Sequence, residues 1–80
     1  MNIELLFFGI TKDLVGKNSI EYQLSENATV KDLKNGLVAD FDSLAKIDEY
    51  AIAVNEQYAN EEIKLSEGDL VAIIPPVSGG

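Results

Sequence analysis

The chain ends Pro75-Pro76-Val77-Ser78-Gly79-Gly80, and this run offers chemistry that the rest of the sequence does not. There is no cysteine, no histidine and no arginine anywhere in the chain. Thiolate nucleophiles, imidazole bases and bidentate phosphate clamps are therefore excluded. The group left is the carboxylate of Gly80. Gly79 and Gly80 present it on a thread without side chains, and Pro75-Pro76 stiffen its exit into an extended, polyproline-like path through Pro76, Val77 and Ser78. Such an end can thread a narrow channel. A carboxylate resists attack until it is activated, and adenylation by ATP converts it to an acyl electrophile. No glycine-rich phosphate loop is present, so the ATP would be bound by a partner enzyme, and no cofactor is expected on the chain itself.

The acidic clusters read more simply. Asp40-Phe41-Asp42 followed by Asp48-Glu49 suggests a calcium loop, but Ala45 stands where the loop needs glycine and Ala51 where it needs a bidentate glutamate. Glu61-Glu62 reads as a solvated turn, and Lys12-Asp13 as a surface pair. No metal site is expected. A net charge of −8 disfavours nucleic acid and anionic membranes as partners and suits a basic protein surface. Glu4 interrupts any signal-like apolar run at the start, and the uncharged stretch at residues 70–80 is too short to span a bilayer, so a cytoplasmic location is expected.

The elements that must carry the tail follow from periodicity. Residues 2–8 alternate as a strand, with Ile3, Leu5 and Phe7 on one face and Glu4, Leu6 and Phe8 on the other. Gly9 breaks it, residues 11–15 suit one helical turn, and residues 19–24 return as a second strand. Thr29 is a helix N-cap with Asp32 as an imperfect capping-box partner. Val30, Leu33, Leu37 and Phe41 then recur at helical spacing, with Val38 widening the stripe, and Gly36 weakens the helix by about 1 kcal/mol relative to alanine. Leu44 and Ile47 tuck under a connection at 40–49. Residues 50–54 form a third strand with a turn at Asn55, and residues 57–65 a short or broken strand. Gly68 supplies a positive φ before the last strand at 70–74, whose uncharged residues mark it as central and which Pro75-Pro76 terminate. The expected architecture is a single α+β domain over residues 1–80, a mixed sheet curled around one main helix, with 75–80 projecting. A last strand lying beside the first gives the β-grasp, or ubiquitin-like, arrangement.

Leu6-Phe7-Phe8-Gly9, Leu14-Val15-Gly16, Ala53-Val54-Asn55 and residues 68–72, followed by Ile73-Ile74 and the Pro-Pro-Val-Ser-Gly-Gly end, resemble the small subunit of molybdopterin synthase over nearly the whole chain. The resemblance implies that Gly80 is adenylated by an activating enzyme related to those that charge ubiquitin. It then takes sulfur from a sulfur-donor protein as a thiocarboxylate. In the large subunit's active site, within a dimer or heterotetramer, it would give that sulfur to a cyclic pyranopterin precursor of the molybdenum cofactor. A thiamine-pathway sulfur carrier and a ubiquitin-like modifier share the tail logic and stay as alternatives.

Strand parity adds a surface. With Ile3 and Phe7 facing the helix, Leu6 and Phe8 lie on the open face of the sheet. Val71 and Ile73 then point inward, which leaves Ala72 and Ile74 beside Leu6 and Phe8, bordered by Tyr58. An apolar patch next to a reactive tail is where a partner is expected to bind.

Overall fold

Alternation sets the first strand, β1 (Asn2–Phe7), in which Ile3, Leu5 and Phe7 are buried while Asn2 and Glu4 are exposed. The computed structural model describes residues 1–46 and 50–76. After β1 come α1 (Ile10–Val15), β2 (Ser19–Gln23), α2 (Val30–Asp40), a 3₁₀ turn (Asp42–Lys46), β3 (Ala51–Val54), β4 (Gln57–Ala59) and β5 (Leu70–Ile74). The five strands form one sheet in the order β2-β1-β5-β3-β4. β5 pairs parallel with β1 and antiparallel with β3, so the last strand is central and lies beside the first. This is the mixed α+β sheet of the β-grasp fold.

One cluster fills the space between sheet and helix: Ile3, Leu5 and Phe7 from β1, Val71 and Ile73 from β5, Ile52 from β3, and Val30, Leu33 and Leu37 from α2. Leu44 of the 3₁₀ turn and Leu65 complete it. Ile47 lies outside the described residues. Phe41 meets Phe7 edge to face, with ring centroids 6.3 Å apart. Val38 does not widen the buried stripe. It sits 100° around the helix from Leu37 and is exposed.

The start of α2 accounts for each of its otherwise unpaired donors. The Thr29 hydroxyl accepts from the Asp32 N–H, and the Asp32 carboxylate accepts from the Thr29 N–H, so the capping box is complete with aspartate in the glutamate position. The Val30 and Lys31 amides donate to the carbonyls of Ile63 and Glu61. The segment after β4 is thus not a continuing strand. It makes a single bridge, Thr29 with Lys64, and spends its carbonyls on the helix.

Gly36 has a packing reason. A Cβ there would lie 2.8 Å from the Tyr22 hydroxyl, which crosses the helix to donate a hydrogen bond to the Asp40 carboxylate. Burial, and then that bond and charge, raise the Tyr22 pKa to about 12.

Candidate functional site

Pairing registers place the open-face residues in rows. Leu6 pairs with Ala72, Ala72 with Ala53, and Ala53 with Tyr58, which makes one continuous row across β1, β5, β3 and β4. One step toward the tail, Ile74 pairs with Ala51, and the Phe8 amide donates to the Ile73 carbonyl, which sets Phe8 next to Ile74. All five interface residues expected from parity therefore share one face: Leu6, Ala72 and Ile74 half-buried, Phe8 47 % exposed and Tyr58 77 % exposed. Among the described residues this face leaves two aromatic side chains, Phe8 and Tyr58, exposed beside apolar neighbours.

The opposite end of the same face is acidic. Glu4 and Glu21 are direct cross-strand partners, both exposed. The Met1 and Leu24 main chains exchange both hydrogen bonds, so by alternation Glu4 and Glu21 form a pair without hydrogen bonds, in which side chains come closest. Like charges so placed repel. The face thus runs from negative at its β1 start to apolar where β5 ends.

Pro75 and Pro76 leave the sheet at that apolar end, and beside them runs an open groove lined by Lys34, Val38, Tyr50, Tyr58 and Ile74. The Lys34 ammonium sits 5.3 Å from the centre of the Tyr50 ring, and burial raises the Tyr50 pKa. Val77, Ser78, Gly79 and Gly80 lie outside the described residues, so the structure fixes where the tail starts.

Two residues at this root escaped the sequence reading. Thr11 is wholly buried, with its hydroxyl 2.5 Å from the Phe8 carbonyl and 3.3 Å from that of Ile73. Gly9, at φ +56°, lets the Pro75 ring approach its backbone, since a Cβ would lie 2.9 Å from the ring's Cγ. Gly9 read as a strand breaker and as part of the Leu6-Phe7-Phe8-Gly9 resemblance, with no role at the tail, and nothing in the spacing of Thr11 set it apart from a first-turn helical residue. Among the described residues no helix is long and apolar enough to cross a membrane.

The chain is similar to known proteins over its whole length. The chain is 34% identical over 83 residues to the molybdopterin synthase sulfur carrier subunit of Chlamydomonas reinhardtii, with 100% of both chains covered. It is also 34% identical over 92 residues to small archaeal modifier protein 3 of Haloferax volcanii, again with full coverage of both. Among solved structures it superposes on a chain of the complex of subunits 1 and 2 of the molybdopterin-converting factor from Helicobacter pylori, at 26% identity and a TM-score of 0.71, covering 100% of each. The model of the ThiS family matches residues 5–80, from the middle of β1 to the final glycine, and the chain belongs to that family.

Proposed function

We propose that this protein is the sulfur-carrier subunit of a molybdopterin synthase, with Gly80 as the carrying residue. The observation that carries the reading is that the central strand β5 delivers Pro75-Pro76 at the apolar end of an open sheet face. A tail rooted there can enter a partner's active site while Leu6, Phe8, Tyr58, Ala72 and Ile74 hold the partner's surface. The Chlamydomonas relative named for this role supports it over the full length, and so does the Helicobacter neighbour, solved with its second subunit.

The chemistry of this proposal is the one that the family resemblance implies. An E1-like activating enzyme supplies ATP, and a Gly80 carboxylate oxygen attacks the α-phosphorus, releasing pyrophosphate and leaving an acyl adenylate. A sulfur-donor protein delivers sulfur at the sulfide level to the carbonyl carbon, AMP departs, and the thiocarboxylate results. In the large subunit, that sulfur adds to a carbonyl carbon of the cyclic pyranopterin precursor, the C=O electron pair passes to its oxygen, which takes up a proton, and the product is a thioester between carrier and substrate. Water then cleaves the acyl C–S bond, which leaves sulfur on the substrate and restores the carboxylate. A dithiolene needs this twice. Cysteine-free, the carrier offers no thiol of its own that would intercept the acyl adenylate as a thioester.

The test is the intact mass of the protein purified from its host. Replacement of one oxygen by sulfur at Gly80 supports a carrier, and a thiamine-pathway carrier would show the same mass but fail to complement a strain lacking the molybdopterin synthase small subunit. A second reading, a ubiquitin-like modifier, is favoured by the Haloferax relative. Its mark would be Gly80 joined to lysines of other proteins, and such conjugates without any thiocarboxylate would replace the carrier reading.

A further inference from the structure

We propose that Gly9 and Thr11 are positioning residues that aim the tail, a role that rests on the carrier reading but has its own observable. The junction between β1 and α1 grips the last residues of β5. The Ile73 carbonyl receives the Phe8 amide at 3.2 Å and faces the Thr11 hydroxyl at 3.3 Å, which is also bonded to the Phe8 carbonyl. Thr11 is the buried polar side chain in a core that is otherwise apolar among the described residues. Valine would fill the same space, so the hydroxyl is there for its bonds. One residue past Ile74, the Pro75 ring rests against the bare Cα of Gly9, at a distance that a Cβ would not permit. From the other side Ile74 is paired with Ala51. Ile73 is therefore held on both flanks, Ile74 is paired with Ala51, and Pro75 rests on Gly9, which sets the direction in which the chain leaves the sheet.

Direction matters because the reacting group is remote. Four residues separate Pro76 from the end of Gly80, counting Gly80 itself, and that length of extended chain spans about 13 Å. For a tail that is fully extended in a partner's channel, a swing of about 15° at the root would move the far end by about 3 Å. Misplacement of a reacting atom by about 1 Å can cost about a hundredfold in rate. The clamp thus acts on the placement of the Gly80 carbonyl, through backbone, without touching substrate.

The experiment uses full-length protein with the thiocarboxylate installed chemically, by sulfide cleavage of a C-terminal intein fusion, so that no activating enzyme is needed. Thr11→Val, Thr11→Ser, Gly9→Ala and Pro75→Gly are compared with the parent in sulfur transfer to the cyclic pyranopterin precursor by a molybdopterin synthase large subunit. The concentration giving half-maximal rate should stay within about twofold of the parent, because the open face is untouched, while the saturating rate falls by about tenfold or more in Thr11→Val, Gly9→Ala and Pro75→Gly. Thr11→Ser should restore it. The chain has no native cysteine, so Ser78→Cys carries a single spin label, and amide line broadening over the sheet reports where the tail points. Thr11→Val should spread the broadening over more of the sheet than in the parent. Wild-type saturating rates in the variants, a Thr11→Ser variant no better than Thr11→Val, or an unchanged broadening pattern would overturn the clamp. Absence of transfer by the parent overturns the carrier reading instead, and the label then still decides the clamp. Should Gly9→Ala fail to fold, Pro75→Gly removes the same contact from the tail side, where no core packing is lost.

Discussion

Aspartate at two adjacent positions separates core from partner surface. Phe7 is 3% exposed and packs edge to face on Phe41, whereas Phe8 is 47% exposed on the open face. Truncating a buried phenylalanine costs about 3–5 kcal/mol. Forcing a carboxylate into the same site adds several kcal/mol more. A chain of 80 residues has a total stability of about 4–12 kcal/mol, so Phe7→Asp should not fold cooperatively. Phe8→Asp forfeits only part of one ring's burial, about 1 kcal/mol, and its charge stays in water. Its melting temperature should fall by about 4–8 °C, with the transition intact. In a complex through this face the same charge is buried unpaired, so binding to a molybdopterin synthase large subunit should weaken by about a hundredfold or more. Circular dichroism melts and calorimetric titration measure the two effects. A Phe8→Asp variant that binds like the parent would show that the open face is not the contact surface. A cooperative melt for Phe7→Asp would refute the assignment of the core.

Three further outcomes follow from the packing. Gly36→Ala should be nearly neutral in the parent, because about 1 kcal/mol of helix propensity is offset by displacement of the Tyr22–Asp40 bond, yet in a Tyr22→Phe background it should stabilise by about 1 kcal/mol; equal effects in both backgrounds in urea melts would remove Tyr22 as the reason for the glycine. Glu21→Lys turns the repulsive pair with Glu4 into an attractive one and should stabilise by about 0.2–1 kcal/mol, while slowing association with a basic partner in stopped-flow mixing; lower stability in low salt would contradict the register. Tyr22 has its folded pKa raised above the unfolded 10.0 to about 12, so the folded state holds its proton longer and stability from this group is present below pH 10 and lost between about pH 10 and 12. The melting temperature of the parent should therefore drop more across that window than that of Tyr22→Phe.

Strand positions were legible because side-chain alternation and turn residues act locally: Ile3, Leu5 and Phe7 against Leu6 and Phe8 gave the face, and Gly68 at φ +81° gave the turn into β5. Sequence order and the uncharged run at 70–74 were enough to put β5 at the centre. Legibility failed where a residue answers to a distant neighbour. Gly36 looks like a helix defect until Tyr22 arrives from β2. By contrast, the turn read at Asn55 is present, with Asn55 at φ +50° and Glu56 at +73°, so there the local signal sufficed. Ala53 looks like filler, but its register makes it the link between Ala72 and Tyr58. Thr11 and Gly9 gain their meaning from Ile73 and Pro75, more than sixty residues away, a separation of 62 for the Thr11–Ile73 bond.

The central place of β5 also has a mechanical consequence. A tail drawn along its own axis pulls on a strand flanked by ladders on both edges, from Glu4–Leu70 to Phe7–Ile73 on one side and from Ala51–Ile74 to Val54–Val71 on the other. Tension then runs parallel to the strand, so the cross-strand bonds are loaded in shear, share the force and must rupture together. The same tail attached to the edge strand β4, with its three residues on a single partner, would peel away bond by bond. In the proposed carrier role, pulling on the tail would therefore load its anchorage in the direction in which the ladders resist best.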